Sequence, residues 1–326
     1  MMKSYFAPAS TGNLSVGFDL IGVALQPVSG EWLGDILHIK GHSEQTSLTC
    51  SGRYQHQLPV ADTDNLVIQG YRLFKAKVAE VKPELNLPEL ELHLEKRLPV
   101  GSGLGSSACS VVVALYAFND YFQHPLNQTQ LLRLMAEVEG SVSGSLHYDN
   151  VVPSLHGGLQ LIIPDSAAKT RALPWFRHWR LVVSYPGTGI STKAAREVMP
   201  KQLTLKDSVA FAGELARFIS ALYTGDEADA LAALKDVVAE PARIALMPEL
   251  PQLRKDLAVY NIAHVGISGA GPTLFAVCTN DQQAQLCASY LAQHYSKNQD
   301  AMTHICQVSE LGARQIESLP GSSLCV

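Results

Sequence analysis

No apolar run in this chain is long enough to cross a bilayer. The most apolar stretch, around Val111 to Phe118, is short and flanked by polar residues, whereas a span needs about 20 apolar residues. The N-terminal segment, Met1 to Pro8, lacks the apolar core of a secretory signal. Internal repeats and low-complexity tracts are absent, as are runs of like charge. The chain has 25 Lys and Arg against 30 Asp and Glu, a net charge of -5, so the basic footprint of a nucleic-acid binder is missing. Its six cysteines, Cys50, Cys109, Cys278, Cys287, Cys306 and Cys325, form no CxxC pair and no zinc-like spacing. They are expected to be free thiols in a reducing compartment. These absences predict a cytoplasmic protein with neither nucleic-acid nor membrane partners.

What is present is an ordinary globular balance. Hydrophobic residues make up 47% of 326 residues, enough for a sizeable core in two domains or one large one. Alternating apolar residues at Ile36 to Lys40 and Leu90 to Leu94 predict strands. Helical spacing predicts helices over Asn65 to Val78, Val111 to Phe122 and Gln128 to Val142. Strands follow at Gly158 to Ile163, Leu181 to Tyr185, Pro272 to Cys278 and near His304 to Val308. Helices are expected between Thr192 and Tyr260 and over Gln282 to Tyr295. The small, polar stretch Asp165 to Thr170 marks a boundary between domains of residues 1–165 and 166–326. Strands and helices mixed in each half predict an α+β fold with antiparallel or mixed sheets.

The segment Pro99-Val100-Gly101-Ser102-Gly103-Leu104-Gly105-Ser106-Ser107-Ala108-Cys109 lies between a strand and an apolar helix. Its glycines let the backbone approach a ligand closely. The helix that follows presents free N–H groups and the positive end of its dipole. No lysine follows the last glycine, so this is not a Walker A loop, and the G-x-G-x-G spacing is not a dinucleotide fingerprint. Read alone, the loop serves equally well as a phosphate cradle or as a turn that caps a helix.

The whole string resembles the PxxxGLGSSAA signature of the GHMP kinases, with Cys109 where alanine is usual. That resemblance implies a two-domain α+β fold: an N-terminal nucleotide-binding half like domain 2 of ribosomal protein S5, and a ferredoxin-like C-terminal half. It also implies that Pro99 to Cys109 hold the phosphates of ATP. Ser107 would help to bind Mg2+.

Other segments resemble the homoserine-phosphorylating branch of this family. Ala7 to Asp19 (APASTGNLSVGFD) is similar to a PASxANLxxGFD opening whose Asn and Asp contact the amino-acid substrate, here Asn13 and Asp19. Thr11-Gly12 replaces a usual Ser-Ala, a departure expected to lie outside the polar contacts. Glu139 precedes His147-Tyr148-Asp149-Asn150 by the spacing of that branch, which implies a magnesium ligand, a group suited to one or two carboxylates with phosphate oxygens. Ser191-Thr192-Lys193-Ala194-Ala195-Arg196 and Asp236 to Arg243 are similar to its two arginine segments. Paired guanidinium groups suit a carboxylate, so Thr192, Arg196 and Arg243, with His147, are expected at the substrate. Gly266 to Thr273 resembles the third GHMP motif, packed against the nucleotide loop.

The resemblance, running from the first strand to about Ala313, thus implies ATP and Mg2+ as cofactors, L-homoserine as the small-molecule substrate, and a homodimer. Asn150, Glu139 and Ser107 are the expected catalytic residues. Whether Asp149 or Asn150 faces the reacting hydroxyl is open at this level. Two other readings stand beside this one: a GHMP kinase for mevalonate, a sugar or shikimate, and a sensor that binds ligand without catalysis.

Overall fold

The computed structural model describes residues 2–59, 64–143, 146–164, 166 and 169–317. Cys325 and Asp165, each named above, lie outside the described residues.

The N-terminal half runs β1 (Lys3–Pro8), β2 (Ser10–Gly12), β3 (Ile21–Pro27), β4 (Gly34–Ser43), β5 (Ser47–Ser51), α1 (Leu66–Val81), β6 (Glu89–Glu95), α2 (Ser106–Tyr121), α3 (Gln128–Ser143), α4 (Val151–His156) and β7 (Leu159–Ile162). The chain continues through β8 (Thr170–Leu173), β9 (Arg180–Tyr185), α5 (Thr192–Glu197), α6 (Leu205–Thr224), α7 (Glu227–Ala232), α8 (Glu240–Arg243), α9 (Leu250–Leu257), β10 (His264–Ile267), β11 (Leu274–Cys278), α10 (Asp281–His294), β12 (Met302–Val308) and β13 (Arg314–Ile316).

Local chemistry explains several of these elements. Asn65 caps α1 by accepting from the Val67 N–H, and Val67, Tyr71, Phe74 and Val78 recur on its buried face. Leu90, Leu92 and Leu94 alternate into the core from β6. Helix α2 is apolar on nearly every side because it is enclosed by α1, α3, α4 and the strands β1 and β4. It begins five residues before the sequence pattern shows it. Its first turn is made of small residues that carry no apolar period, and the start is set by Gly105 in a left-handed conformation.

The strands form two sheets. One has the order β13-β1-β4-β6-β5, and the other β10-β11-β9-β12-β3-β7-β8 with β2 paired to β3. All described pairings are antiparallel except β5 with β6. The two halves exchange strands: β12 pairs with β3 and β13 with β1. The small, polar stretch near 165–170 connects two strands of one hairpin, with Ile162 opposite Thr170. A second hydrophobic core, including Leu250, Leu253, Val265, Leu274 and Leu291, lies among α9, α10 and strands β9 to β11. No described helix is long and apolar enough to cross a membrane.

This arrangement brings the loop before α2, the turn after β2, the start of α4 and the turn between β10 and β11 to one place. Beneath the loop, Lys96 is buried and donates to Asp35 at 2.6 Å, to Ser110 Oγ at 2.8 Å and to the Ser106 carbonyl at 3.1 Å. Asp35 also accepts from the Arg97 and Leu98 N–H groups. Breaking such a buried pair by removing one partner typically costs about 3–5 kcal/mol, so this network fixes the loop to the sheet.

Candidate active site

The glycine-rich loop is held by its carbonyls. Gly101 O accepts from the Ile190 N–H at 2.9 Å, Ser102 O from the Thr273 N–H at 3.0 Å, and Leu104 O from the Ser10 N–H at 3.3 Å. Gly103 O accepts from Ser268 Oγ at 2.7 Å. In a planar trans peptide the carbonyl and the next N–H point in opposite directions. The N–H groups of Ser102, Gly103 and Gly105 are therefore turned away from these protein partners, which is the arrangement of an anion-binding nest. Gly101, Gly103 and Gly105 have φ of 64°, 85° and 62°. A Cβ on Gly103 would lie 2.3 Å from the Ser268 carbonyl, so both space and conformation demand glycine there. The third glycine motif thus packs directly on this loop.

Val100 to Gly103 and Gly105 to Ser107 line a cavity of about 690 Å³. Leu104, Ala108 and Cys109 do not; they are fully buried in the core, and Pro99 is not among the lining residues. Cys109 is tied to the sheet, with Sγ donating to the Ala7 carbonyl at 3.1 Å and accepting from the Asp35 N–H at 3.2 Å. These residues can shape the loop but cannot touch a ligand with their side chains.

Ser107 on α2 faces Glu139 on α3, and its hydroxyl donates to Glu139 Oε1 at 2.7 Å. Burial pushes the Glu139 carboxyl up to about 7; the Ser107 hydrogen bond and Lys96 oppose this, and Asp149 adds to it. A carboxylate that burial makes costly to ionise, next to a hydroxyl and an anion-binding nest, fits a hard divalent cation.

The same cavity is lined by Asn13, Asp19, His147, Asp149, Asn150, Thr192, Arg196 and Arg243. Every residue assigned to substrate from sequence therefore converges. Arg196 Nη2 donates to both oxygens of Asp19 at 3.1 Å and lies 3.1 Å from His147 Nδ1. The Arg196 Nε is buried with no hydrogen-bond partner among the described residues. Arg243 is buried and donates to the carbonyls of Gly269 at 2.9 Å and Ala195 at 3.2 Å. Phe18 lies beneath both guanidinium groups, 5.8 Å from Arg196 and 5.5 Å from Arg243, a favourable cation–π placement for two like charges. Thr192 opens α5, which Ser191 caps by accepting from the Ala194 N–H at 3.1 Å.

The Asn13 side-chain amide binds backbone groups on both sides of the site. Its Oδ1 accepts from the Asp19 N–H at 2.9 Å and its Nδ2 donates to the Gly269 carbonyl at 3.3 Å. Asn150 Oδ1 accepts from Ser10 Oγ at 3.0 Å, and its Nδ2 donates to Asp149 Oδ2 at 3.2 Å. Asp149 is raised to about 7 by burial and by the charge of Asp19, against the pull of Arg196 and Arg243. Burial lowers His147 below the usual imidazole range, with Asp19 opposing and Arg196 reinforcing this.

Oxygen and nitrogen atoms of Asp19, His147 and Asp149 lie within 4.8 Å of one another. Arg196 already supplies a cation to this cluster, which sets it apart from the Ser107–Glu139 pair as a metal site. One expectation needs correction. Gly12 is not remote from the polar contacts: a Cβ there would fall 2.2 Å from Asp149 Oδ2 and 3.1 Å from Asn150 Nδ2. Two features of the site carried no clear sequence signal, namely the Lys96–Asp35 support and the ring of Phe18.

Two family models match the chain: "GHMP kinases N terminal domain" over residues 65–158 and "GHMP kinases C terminal" over residues 218–297. Together they span more than half of it. The chain belongs to the GHMP kinase family. It therefore has a two-domain α+β GHMP kinase fold and is a phosphotransferase with ATP as donor. Among solved structures it is similar to homoserine kinase from Cytophaga hutchinsonii, at 27% identity and a TM-score of 0.83, covering 97% of each chain. A candidate homoserine kinase from Listeria monocytogenes is 23% identical with a TM-score of 0.70, covering 98% of this chain and all of that one. Mevalonate kinase from L. major, solved with R-mevalonate, shares the fold at 16% identity and a TM-score of 0.64, covering 93% of this GHMP kinase and 95% of that chain.

Proposed function

We propose that this GHMP kinase transfers the γ-phosphoryl group of ATP to the side-chain hydroxyl of L-homoserine, forming O-phospho-L-homoserine for threonine biosynthesis. One observation carries the reading. A phosphate nest opens into the same cavity as an acid–arginine constellation, Asp19 and Asp149 with Arg196 and Arg243. A substrate that bears an ammonium and a carboxylate matches that pattern, whereas mevalonate, galactose and shikimate bring no cation.

In this reading residues 1–165 form the nucleotide-binding domain and 166–326 the domain that supplies both arginines. The N–H groups of the loop bind the phosphates of ATP. Ser107 and Glu139 would hold Mg2+, which supplies charge neutralisation at the phosphoryl oxygens. Arg196 and Arg243 receive the substrate carboxylate, with His147 and Thr192 beside it, and Asp19 receives the ammonium. Asn150 orients the hydroxyl. As the hydroxyl oxygen bonds to phosphorus, the bond to the ADP oxygen breaks and the hydroxyl proton is released. A loose transition state asks for positioning and charge stabilisation more than for early proton removal. A homodimer, which rests on the family resemblance, and a cytoplasmic location, which rests on the composition of the sequence, belong to the same reading.

The test is a coupled ADP-release assay with homoserine, mevalonate, galactose and shikimate. Turnover on homoserine at least tenfold above the others is expected. Faster turnover on another acceptor would reassign the substrate, and no turnover with any acceptor would favour a ligand-binding role.

A further inference from the structure

The segment between β2 and β3 has an unusual backbone. Asn13, Leu14 and Ser15 are consecutively left-handed, with φ of 73°, 42° and 60°, and Asp19 follows at 58°. None is glycine. Left-handed conformation is costly for an L-residue, and such strain persists only where the surroundings over-determine it. Burial of Leu14 in the core is one constraint. The bond from Asn13 Nδ2 to the Gly269 carbonyl is a second. The third is a hydrogen bond of 2.8 Å between Ser15 Oγ and His264 Nε2.

His264 opens β10, and Gly269 lies in the turn that ends it. The substrate segment is thus fastened to both ends of one strand from the other half of the chain. Burial, reinforced by Arg254, pushes His264 down to about 3, so its ring is neutral across the physiological range. The ring also lies 5.6 Å from Phe275. The strand makes room for the bond. A Cβ on Gly266 would fall 2.3 Å from Ser15 Oγ and 2.8 Å from His264 Nε2. Gly266 is therefore glycine for space rather than for backbone conformation.

We propose that Ser15 and His264 are positioning residues: their hydrogen bond straps the left-handed turn to β10 and so aims Asp19 into the substrate cavity. Asn13, with the Gly12 carbonyl accepting from the Gly269 N–H at 3.3 Å, pins the start of the turn to one end of β10, and Leu14 anchors it in the core. The Ser15–His264 bond fixes the direction in which the chain leaves toward Phe18 and Asp19. Neither strap residue lines the cavity, so both act through Asp19. The kinetic consequence rests on the homoserine reading; the mechanical one does not.

The informative variants are Ser15→Gly, His264→Leu and Gly266→Ala. Ser15→Gly removes the hydroxyl and also relieves the left-handed strain, so it should fold at least as well as the parent by thermal melting. Loss of one hydrogen bond should raise the homoserine KM roughly three- to tenfold, with kcat and the ATP KM unchanged. The double variant Ser15→Gly/His264→Leu should be no worse than the poorer single variant. Hydrogen exchange of the Asn13 to Ile21 amides in the ligand-free protein should quicken in all three single variants. Unchanged exchange there overturns the strap whatever the substrate. Faster exchange with an unchanged homoserine KM, in a parent that turns homoserine over, overturns the link to Asp19. A parent that does not use homoserine fails the functional reading and leaves the exchange measurement to decide the strap.

Discussion

Asp19 and Arg196 neutralise each other in the cavity, with one guanidinium nitrogen 3.1 Å from each carboxylate oxygen. A zwitterion can replace both halves of this pair at once, its ammonium taking Asp19 and its carboxylate taking Arg196. A ligand with a single charge would leave the other partner uncompensated in a half-buried site, which is costly. Asp19→Asn should therefore raise the homoserine KM by about ten- to a hundredfold, the scale of a lost charged hydrogen bond. The ATP KM should stay within about twofold. For 4-hydroxybutyrate, which lacks the ammonium, the same substitution should change binding far less, as competition assays will show. Equal losses for both ligands would sever Asp19 from the ammonium.

Glu139 is expected to trade stability for function. Its carboxyl is raised to about 7 in the fold. Below the ordinary carboxyl range both folded and unfolded states hold the proton, so nothing is lost. Between that range and pH 7 the unfolded chain releases it while the fold retains it, and stability falls as pH rises. Above pH 7 the full penalty is present, on the order of 3 kcal/mol at most. Glu139→Gln should therefore raise the melting temperature of the ligand-free protein at pH 8 and leave it nearly unchanged at pH 4.5. Turnover should drop roughly a hundredfold, the usual scale for one electrostatic partner. A variant that is less stable at pH 8 and fully active would be evidence that Glu139 is structural.

If Glu139 holds Mg2+ as proposed, the same ionisation sets the demand for metal. A protonated Glu139 cannot ligate Mg2+, so the proton and the cation compete. The Mg2+ concentration for half-maximal rate should rise about tenfold per pH unit as pH falls below 7, and saturating Mg2+ should move the acid limb of the profile downward. Steady-state rates at pH 5.5 to 8 over a Mg2+ series measure this directly. A limb that ignores Mg2+ would come instead from Asp149, which titrates in the same range.

Much of this site was legible because its chemistry is local. The glycines of the loop, the Ser-Ser pair and the Glu139 to Asn150 spacing are contiguous strings, and strands such as β6 announce themselves by alternation. Tertiary pairing hid the rest. That β3 joins β12, or that the turn after Ile162 closes a hairpin, depends on partners far along the chain or on register. Lys96 looked like any strand-end lysine, and only burial against Asp35 reveals it as a support. Asp149 and Asn150 are adjacent in sequence, so no spacing rule could order them. Gly12 reads in sequence as a neutral replacement, and only the fold places the Asp149 carboxylate beside it.

Asp149 and Asn150 divide the remaining chemistry. Asn150 is fixed at both ends of its amide, by Ser10 and by Asp149, and it abuts the phosphate loop: a Cβ on Gly105 would lie 2.8 Å from its Oδ1. That location suits a group that orients the hydroxyl next to the phosphates, and an amide cannot take the proton. Asp149 holds Asn150 and sits against the Gly12 backbone, with a proton affinity near that of a general base. If orientation matters more than proton removal, Asp149→Asn should keep at least about a tenth of the parent kcat, and Asn150→Ala should lose more. Gly12→Ala, which pushes on the Asp149 carboxylate, should then resemble the milder variant in kcat. The opposite order, with Asp149→Asn inactive and Gly12→Ala crippled at every pH, would make the aspartate the base. Single-turnover rates separate the two, because they report the chemical step without product release.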